Sequence, residues 1–214
     1  MNPNERHPER VDCVITASEV PEACGIGYGS RGAWARGEKR VEDEVQKRRL
    51  ENGQHGEHAA AVTYREHCCN VYEELLPEFF AWEETTLGKV GATPDGVVRT
   101  VGVGIPLRLI EYKCIDGCGE DRLLAPLRAN HVLQLATQLY VCNFGVGHLF
   151  YYRSSGEYVC YSVKINNIGH YEQIVFPWLK EALAMKADPA LVKEMPRGEA
   201  QRRRETVVRE FLIV

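Results

Sequence analysis

The chain has 214 residues, 44% of them hydrophobic, which is enough to bury the core of one domain. Its 26 lysines and arginines are outnumbered by 30 aspartates and glutamates. The resulting formal net charge of −4 lacks the overall basicity typical of nucleic-acid-binding domains, so any DNA contact would need a local basic surface. The sequence has no uninterrupted apolar run of the roughly 18 residues that a membrane-spanning helix requires, which predicts a soluble protein.

The eight cysteines and the start of the chain indicate a cellular compartment. The chain is long for a disulfide-stapled domain and begins without an apolar signal segment, so we expect reduced thiols and an intracellular location. Residues 1–12 combine prolines and charges without apolar periodicity, which predicts a poorly ordered segment. Residues 13–214 are expected to form a single domain.

Helices are predicted first along the chain. Thr16 or Ser18 can cap a short helical segment, and four glycines within residues 25–32 indicate a loop after it. A charged helix is expected over residues 33–50, and a second helix over residues 53–72.

The second predicted helix carries a carboxylate in an unusual place. Ala60, Ala61 and Tyr64 recur on one helical face, and Glu57 falls on that same, largely apolar face. Glu57 is therefore a candidate functional residue. The alternative interpretation is an ordinary helix glutamate that faces solvent.

Two extended segments follow, over residues 91–99 and 107–113, joined by a turn that contains Gly102, Gly104 and Pro106. They predict a hairpin-like pair of strands.

The rest of the chain alternates again between helix and strand. Asn130 can cap a helix over residues 131–143, and residues 147–153 and 158–165 are predicted as two strands. A long helix is expected to start near Gly169. The element order predicts an α/β fold with a central mixed β-sheet flanked by α-helices.

The predicted hairpin brings three chemically active side chains together. Asp95 opens it within Pro94-Asp95-Gly96, and Glu111 and Lys113 close it. Since side chains alternate along a strand, Glu111 and Lys113 face the same side, and Asp95 can lie on the adjacent strand. A lone Glu-x-Lys pair is common in solvated hairpins, but the Pro-Asp-Gly segment 16 residues upstream of Glu111 makes the combination much more specific.

This trio suits phosphodiester hydrolysis. Mg²⁺ prefers hard oxygen ligands and usually takes one or two carboxylates, which Asp95 and Glu111 would supply. Lys113 would orient the nucleophile or stabilise the charge that develops on the phosphate.

With these motifs in place, the sequence resembles the lambda exonuclease and YqaJ-like viral recombinase family of PD-(D/E)xK nucleases. The similar segments occur in family order. They are Ile-Thr-Ala-Ser within residues 14–20, the spaced Gly53, Glu57, Ala60 and Tyr64, then Pro94-Asp95-Gly96, Glu111-x-Lys113, Gln134 in residues 132–140, and residues 171–175.

The resemblance implies a restriction-endonuclease-like core with the site at one edge of the sheet. It also implies a Mg²⁺-dependent exonuclease, with Mn²⁺ as a substitute, that digests linear double-stranded DNA from 5′ to 3′ and leaves 3′ single strands for recombination. A ring-shaped homotrimer and a single-strand annealing protein as partner are further expectations. The location would be the cytoplasm of a bacterium, or the infected cell if the protein is viral.

Residue roles follow from the same resemblance. Asp95, Glu111 and the backbone carbonyl of Tyr112 would bind the metal, and Glu57 would support it directly or through water. Gln134 would position Lys113 or the nucleophilic water.

Ser18 and Arg10 are expected to bind the 5′-phosphate of a DNA end. Arg10 lies one residue further from Ser18 than the family arrangement has it, and Ser18 is equally suited to cap a helix.

Other cysteines and histidines are weaker metal candidates. Cys114 and Cys118 could suggest a metal site, since some related nucleases hold an iron–sulfur cluster with one early and three late cysteines. In this sequence only Cys160 lies late, so that requirement is not met. His55 and His58 flank Glu57 and lack the second matched pair that a zinc site needs.

Two alternatives remain open for function. The same core could serve a structure-selective or site-specific endonuclease, or the chain could be a non-catalytic DNA-binding protein. The basic runs at residues 47–49 and 202–204 could contact phosphates or simply be solvated.

Overall fold

The computed structural model describes residues 7–38, 44–115 and 128–213, with the backbone alone for residues 44–55. Within these ranges the chain forms six α-helices. They are α1 (Val20–Ala23), α2 (Arg31–Ala35), α3 (Glu44–Cys68), α4 (Ala129–Cys142), α5 (Ile168–Ala187) and α6 (Arg197–Phe211).

The described strands form two sheets. The strands are β1 (Ile15–Thr16), β2 (Glu73–Pro77), β3 (Ala81–Thr85), β4 (Gly88–Ala92), β5 (Gly96–Thr100), β6 (Pro106–Cys114), β7 (Val146–Tyr152), β8 (Tyr158–Lys164) and β9 (Leu212–Ile213). The large sheet has the order β2-β5-β6-β7-β8-β9, and the small sheet has the order β1-β4-β3. In the large sheet β6 and β7 are parallel and the other neighbours are antiparallel, so the predicted mixed sheet is confirmed.

Both faces of the large sheet are covered by helices. Leu109 and Leu149 belong to the core cluster that contains α4, whereas Ile110 and Phe150 pack with residues of α3. This alternation of neighbouring residues between two cores is what the period of a strand requires when both faces are buried.

Helix α4 is the central helix of the fold. Its apolar residues are almost completely buried, and it ends at Asn143 in the left-handed conformation, with φ of 55°, which asparagine adopts more readily than most residues. The predicted cap was wrong: Arg128 is the N-cap residue, and Asn130 lies inside the first turn.

Two further predictions about the first helices were wrong. Thr16 lies in a strand, and the N-cap residue of α1 is Glu19, so neither Thr16 nor Ser18 caps that helix. The break expected near residue 50 does not occur, since α3 runs without interruption to Cys68.

Gly56 explains how α3 approaches the sheet so closely. A Cβ atom at Gly56 would lie 2.6 Å from Sγ of Cys114 on β6, so any larger residue would displace the Cys114 side chain. A glycine inside a helix costs about 1 kcal/mol relative to alanine, which close packing can offset.

The start of the chain was expected to be poorly ordered. Residues 1–6 lie outside the described residues, while Pro8–Asp12 forms a 3-10 helix with no buried residue. No helix in the described part of the chain is both long and apolar enough to span a membrane.

Candidate active site

Asp95 lies where the chain passes from the small sheet to the large one. The segment predicted as one strand over residues 91–99 is two strands, β4 and β5, separated by Thr93, Pro94 and Asp95. The backbone N–H of Asp95 donates to the carbonyl of Ile110 (3.1 Å). This bond fixes Asp95 beside β6 at the point where β5 begins.

The carboxylate of Asp95 extends the pairing along β6. The β5–β6 ladder reaches Gly96 and Ile110, and beyond it the N–H of Tyr112 donates to Oδ2 of Asp95 (2.7 Å). In a strand the N–H and C=O of one residue point to the same neighbour. The carbonyl of Tyr112 therefore points to the same side as Asp95.

Glu111 is the most enclosed acid of the site, with 3% of its surface exposed. Its Oε1 accepts hydrogen bonds from Nζ of Lys113 (2.5 Å) and Nε2 of Gln134 (2.6 Å). Its Oε2 accepts one from Nε2 of Gln138 (2.7 Å). Three donors therefore hold the carboxylate in a single orientation.

Gln134 also accepts a hydrogen bond from Lys113, with 3.1 Å between Oε1 and Nζ. Lys113, Glu111 and Gln134 thus form a closed triangle between β6 and α4. Of the five predicted catalytic residues, the structure brings four close together, which are Asp95, Glu111, Lys113 and Gln134.

The electrostatics reflect this crowding. Burial raises the pKa of Asp95 well above its ordinary value, and the charge of Glu111 raises it further. Burial alone would lower the pKa of Lys113, but the charges of Glu111 and Asp95 more than offset it and raise the pKa. Lys113 is therefore protonated at neutral pH, and Asp95 is a carboxyl group that favours a bound proton or cation.

The donor set fits a magnesium ion. Asp95 and Glu111 supply two carboxylates, and strand geometry directs the Tyr112 carbonyl towards Asp95. Mg²⁺ usually takes only one or two carboxylates from the protein. No group of three or more histidine, cysteine, aspartate or glutamate side chains suited to a metal occurs among the described residues.

Glu57 stands further out on α3. Its side chain is exposed, yet its charge is close enough to raise the pKa of Asp95. It lies near the predicted metal ligands without joining them in one tight cluster. Two other metal candidates, Cys118 and the side chain of His55, lie outside the described residues.

The predicted phosphate-binding pair is not assembled in the described contacts. The hydroxyl of Ser18 bonds to that of Thr16 (3.2 Å), and both the N–H and the hydroxyl of Thr16 donate to Glu19. Arg10 lies in the 3-10 helix, and no described side-chain contact joins it to Ser18.

Sequence analysis missed a second layer of residues around the site. Gln138 lies one helical turn beyond Gln134, and its Nε2 contacts Glu111 and also the carbonyl of Thr93 (3.3 Å). The recurrence of glutamine at i and i+4 of a helix facing the catalytic strand was the signal that could have revealed it.

The location of the site also differs from expectation. β6 has neighbours on both sides in the large sheet, so the site lies where β5 begins beside a continuing β6, and not at an outer edge.

No protein-family model and no curated protein matches the sequence. Solved structures do match. An alkaline exonuclease, LHK-Exo of Laribacter hongkongensis, superposes with a TM-score of 0.61 at 19% identity, over 87% of this chain and 95% of that one. The fold is similar to that of a known exonuclease.

Two further structures are similar. LHK-Exo in complex with dAMP has a TM-score of 0.56 at 16% identity, covering 91% of each chain. SSO0001 has a TM-score of 0.54 at 13% identity, over 84% of this chain and 78% of that one. The predicted α/β fold, with a central mixed β-sheet flanked by α-helices, is confirmed.

Proposed function

We propose that the protein is a Mg²⁺-dependent exonuclease that hydrolyses phosphodiester bonds of linear double-stranded DNA. The observation that carries this proposal is a network in which Glu111, Lys113 and Gln134 bond to one another and Asp95 bonds to the N–H of Tyr112. The network occurs on a fold similar to that of an alkaline exonuclease. The dAMP bound to that neighbour in a second structure is consistent with a nucleotide product.

Asp95, Glu111 and the Tyr112 carbonyl are the proposed metal ligands, with Glu57 in support and Mn²⁺ as a substitute ion. When bound, the cation would offset negative charge on the scissile phosphate and lower the pKa of a coordinated water. The crowded carboxylates support this assignment, because like charges forced together in a buried place are relieved by a cation.

Lys113 is proposed to act on the phosphate itself. Its ammonium is held by Glu111 and Gln134 and is protonated at neutral pH, so it can donate to oxygens on which charge develops during the reaction. Gln134 is a positioning residue that fixes Lys113 and Glu111 relative to each other.

The finer assignments rest on the family resemblance. They are cleavage from 5′ to 3′, contact of Ser18 and Arg10 with a 5′-phosphate, a homotrimeric ring around DNA, and a single-strand annealing protein as partner. Glu19 beside Ser18 would have to turn away or be neutralised for an anion to bind there. A stable monomer in analytical ultracentrifugation would argue against the ring.

The test is incubation of the protein and its Asp95→Ala variant with Mg²⁺ and two DNA substrates. One is a covalently closed circle and the other is a linear duplex labelled at its 5′ or its 3′ end. We expect the wild type alone to degrade the linear duplex, with the order of label release giving the polarity. Cut circles would establish an endonuclease instead, and no cleavage of either substrate would contradict the proposal.

A further inference from the structure

An exposed tyrosine stands beside the site. Tyr28 lies in the glycine-rich loop between α1 and α2, with 59% of its surface exposed. Its hydroxyl accepts a hydrogen bond from Nη1 of Arg128 and bonds to Nε2 of His131 (2.9 Å). The guanidinium of Arg128 also lies 5.6 Å from the centre of the Tyr28 ring.

The partner His131 is buried and holds the Tyr28 hydroxyl in place. Only 8% of its surface is exposed, and its Nδ1 bonds to the hydroxyl of Tyr151 (2.8 Å). Burial, with the charges of Lys113 and Arg128, lowers the pKa of His131 to about 2, so the ring is neutral and offers one donor and one acceptor. The polar end of Tyr28 is thus fixed while its ring faces solvent.

The position of this group places it at the catalytic lysine. His131 and Gln134 are one turn apart on α4, and Gln134 contacts Nζ of Lys113. Residues three apart on a helix are neighbours on its surface. Tyr28 is also close enough to Lys113 to contribute to its electrostatic surroundings.

Such a pair suits a nucleotide. Aromatic rings in single-strand-binding grooves stack on bases, largely without regard to sequence, and arginine binds phosphate through several donors in a fixed plane.

We propose that Tyr28 and Arg128 form a substrate subsite in which the Tyr28 ring stacks on the nucleobase next to the scissile phosphate and Arg128 binds an adjoining phosphate. The subsite rests on the proposed function for its substrate class, a DNA strand that enters the site from its end. The subsite would combine Tyr28 from the loop between α1 and α2 with Arg128 from the N-terminus of α4, near Lys113.

The stacking arm of the test compares linear duplexes that carry either a normal or an abasic nucleotide at the end being degraded. Affinity is measured by fluorescence anisotropy in chelator, and single-turnover cleavage is measured with Mg²⁺. We expect Tyr28→Ala to weaken binding of the normal end about 5- to 30-fold. The abasic end should weaken wild-type binding by a similar factor, and it should add little to the effect of Tyr28→Ala.

Tyr72→Ala is the matched control, because Tyr72 is 74% exposed and precedes β2 at the other end of the β5 ladder from Asp95. The stacking role would be overturned if Tyr28→Ala weakened binding equally for normal and abasic ends, or weakened binding of neither.

The phosphate arm uses Arg128→Gln. Loss of one phosphate contact should reduce the slope of log affinity against log salt by about 0.9, whereas Arg99→Gln, whose side chain pairs with Glu74, should leave the slope unchanged. An unchanged slope for Arg128→Gln would overturn the phosphate contact, and absence of DNA binding by the wild type would overturn the whole subsite. Base-dependent binding without any cleavage would instead reject the proposed catalysis while supporting the subsite.

Discussion

At the scale of single residues, the buried position of Asp95 beside Glu111 destabilises the folded protein. Its pKa is raised by burial and by the charge of Glu111, and the opposing effects of Lys113 and the Tyr112 N–H do not cancel this. A carboxyl group with a higher pKa in the folded than in the unfolded state destabilises the fold as the pH rises from the unfolded value to the folded one. Without a cation, Asp95 therefore opposes folding at neutral pH.

This cost predicts that Asp95→Asn stabilises the protein in chelator, because asparagine keeps an acceptor for the Tyr112 N–H and removes the charge. In thermal unfolding at pH 8 the Tm should rise by about 2–4 °C for each kcal/mol gained, and the gain should shrink as the pH falls towards about 4. Added Mg²⁺ should raise the Tm of the wild type but not of the variant. A lower Tm for the variant in chelator would contradict the account.

Gln138 gives a second prediction at this scale. Its amide nitrogen holds Glu111 and Thr93 together, and its Oε1 is buried with no hydrogen-bond partner among the described residues. We expect Gln138→Leu to raise the Mg²⁺ concentration for half-maximal cleavage about 10- to 100-fold, as loss of a residue that orients a ligand commonly does. Gln201→Leu, a change at an exposed glutamine of α6, is the control. Unchanged metal dependence would show that Gln138 only fills space.

Which site residues the sequence could predict depends on how local their signals are. Glu111 and Lys113 are two residues apart on one strand, so alternation alone places them together. Gln134 came from resemblance. Tyr28 and Arg128 meet only through tertiary packing, 100 residues apart in sequence, and no local pattern encodes that contact.

At the scale of elements, Pro94 explains one failure of sequence analysis. Proline has no N–H for a strand ladder, and the chain leaves one sheet and enters the other at this point. Strands β2 and β3 were missed because their glutamates weaken the apolar alternation. Helix α6 was missed because its many charged residues leave few apolar residues at helical spacing.

Helices α2, α5 and α6 are joined by an ion-pair cluster. Glu181 on α5 bonds to Arg31 (3.0 Å) and Arg203 (3.2 Å), both of which are almost fully buried. The hydrogen bond from Arg31, assisted by Arg203 and opposed by burial, lowers the pKa of Glu181 to about 2. Because this pKa lies below the unfolded value of about 4.3, the stabilisation is present above that pH and is lost as the pH falls towards 2.

Glu181→Gln should therefore lower the free energy of unfolding at pH 7 by about 1–2 kcal/mol, a range that allows for the partial exposure of Glu181. Urea unfolding at pH 7 and pH 3.5 should show the difference from wild type shrinking at the lower pH. Glu157→Gln, which removes an exposed partner of Arg153, should change stability by less than about 0.5 kcal/mol. A difference independent of pH would exclude the ion pair as its source.

At the scale of the whole molecule, the fold presents one face of β6 to α4 and the other to α3. Glu111 and Lys113 meet Gln134 on the α4 side, and Glu57 lies on α3. The two hydrophobic cores hold β6 rigid on both faces, so Glu111 and Lys113 are fixed by packing as well as by hydrogen bonds. The proposed function follows from this rigid placement despite a net charge of −4, since substrate contacts would come from a few local cations.

The measurement that tests this most directly is single-turnover cleavage of an end-labelled linear duplex by wild type and Lys113→Ala, with DNA affinity measured in parallel in chelator. We expect Lys113→Ala to lower the rate about 100- to 1000-fold and to leave affinity nearly unchanged, because the lysine acts on charge that develops during the reaction. Cleavage by Lys113→Ala at the wild-type rate would contradict the assignment of this site as catalytic.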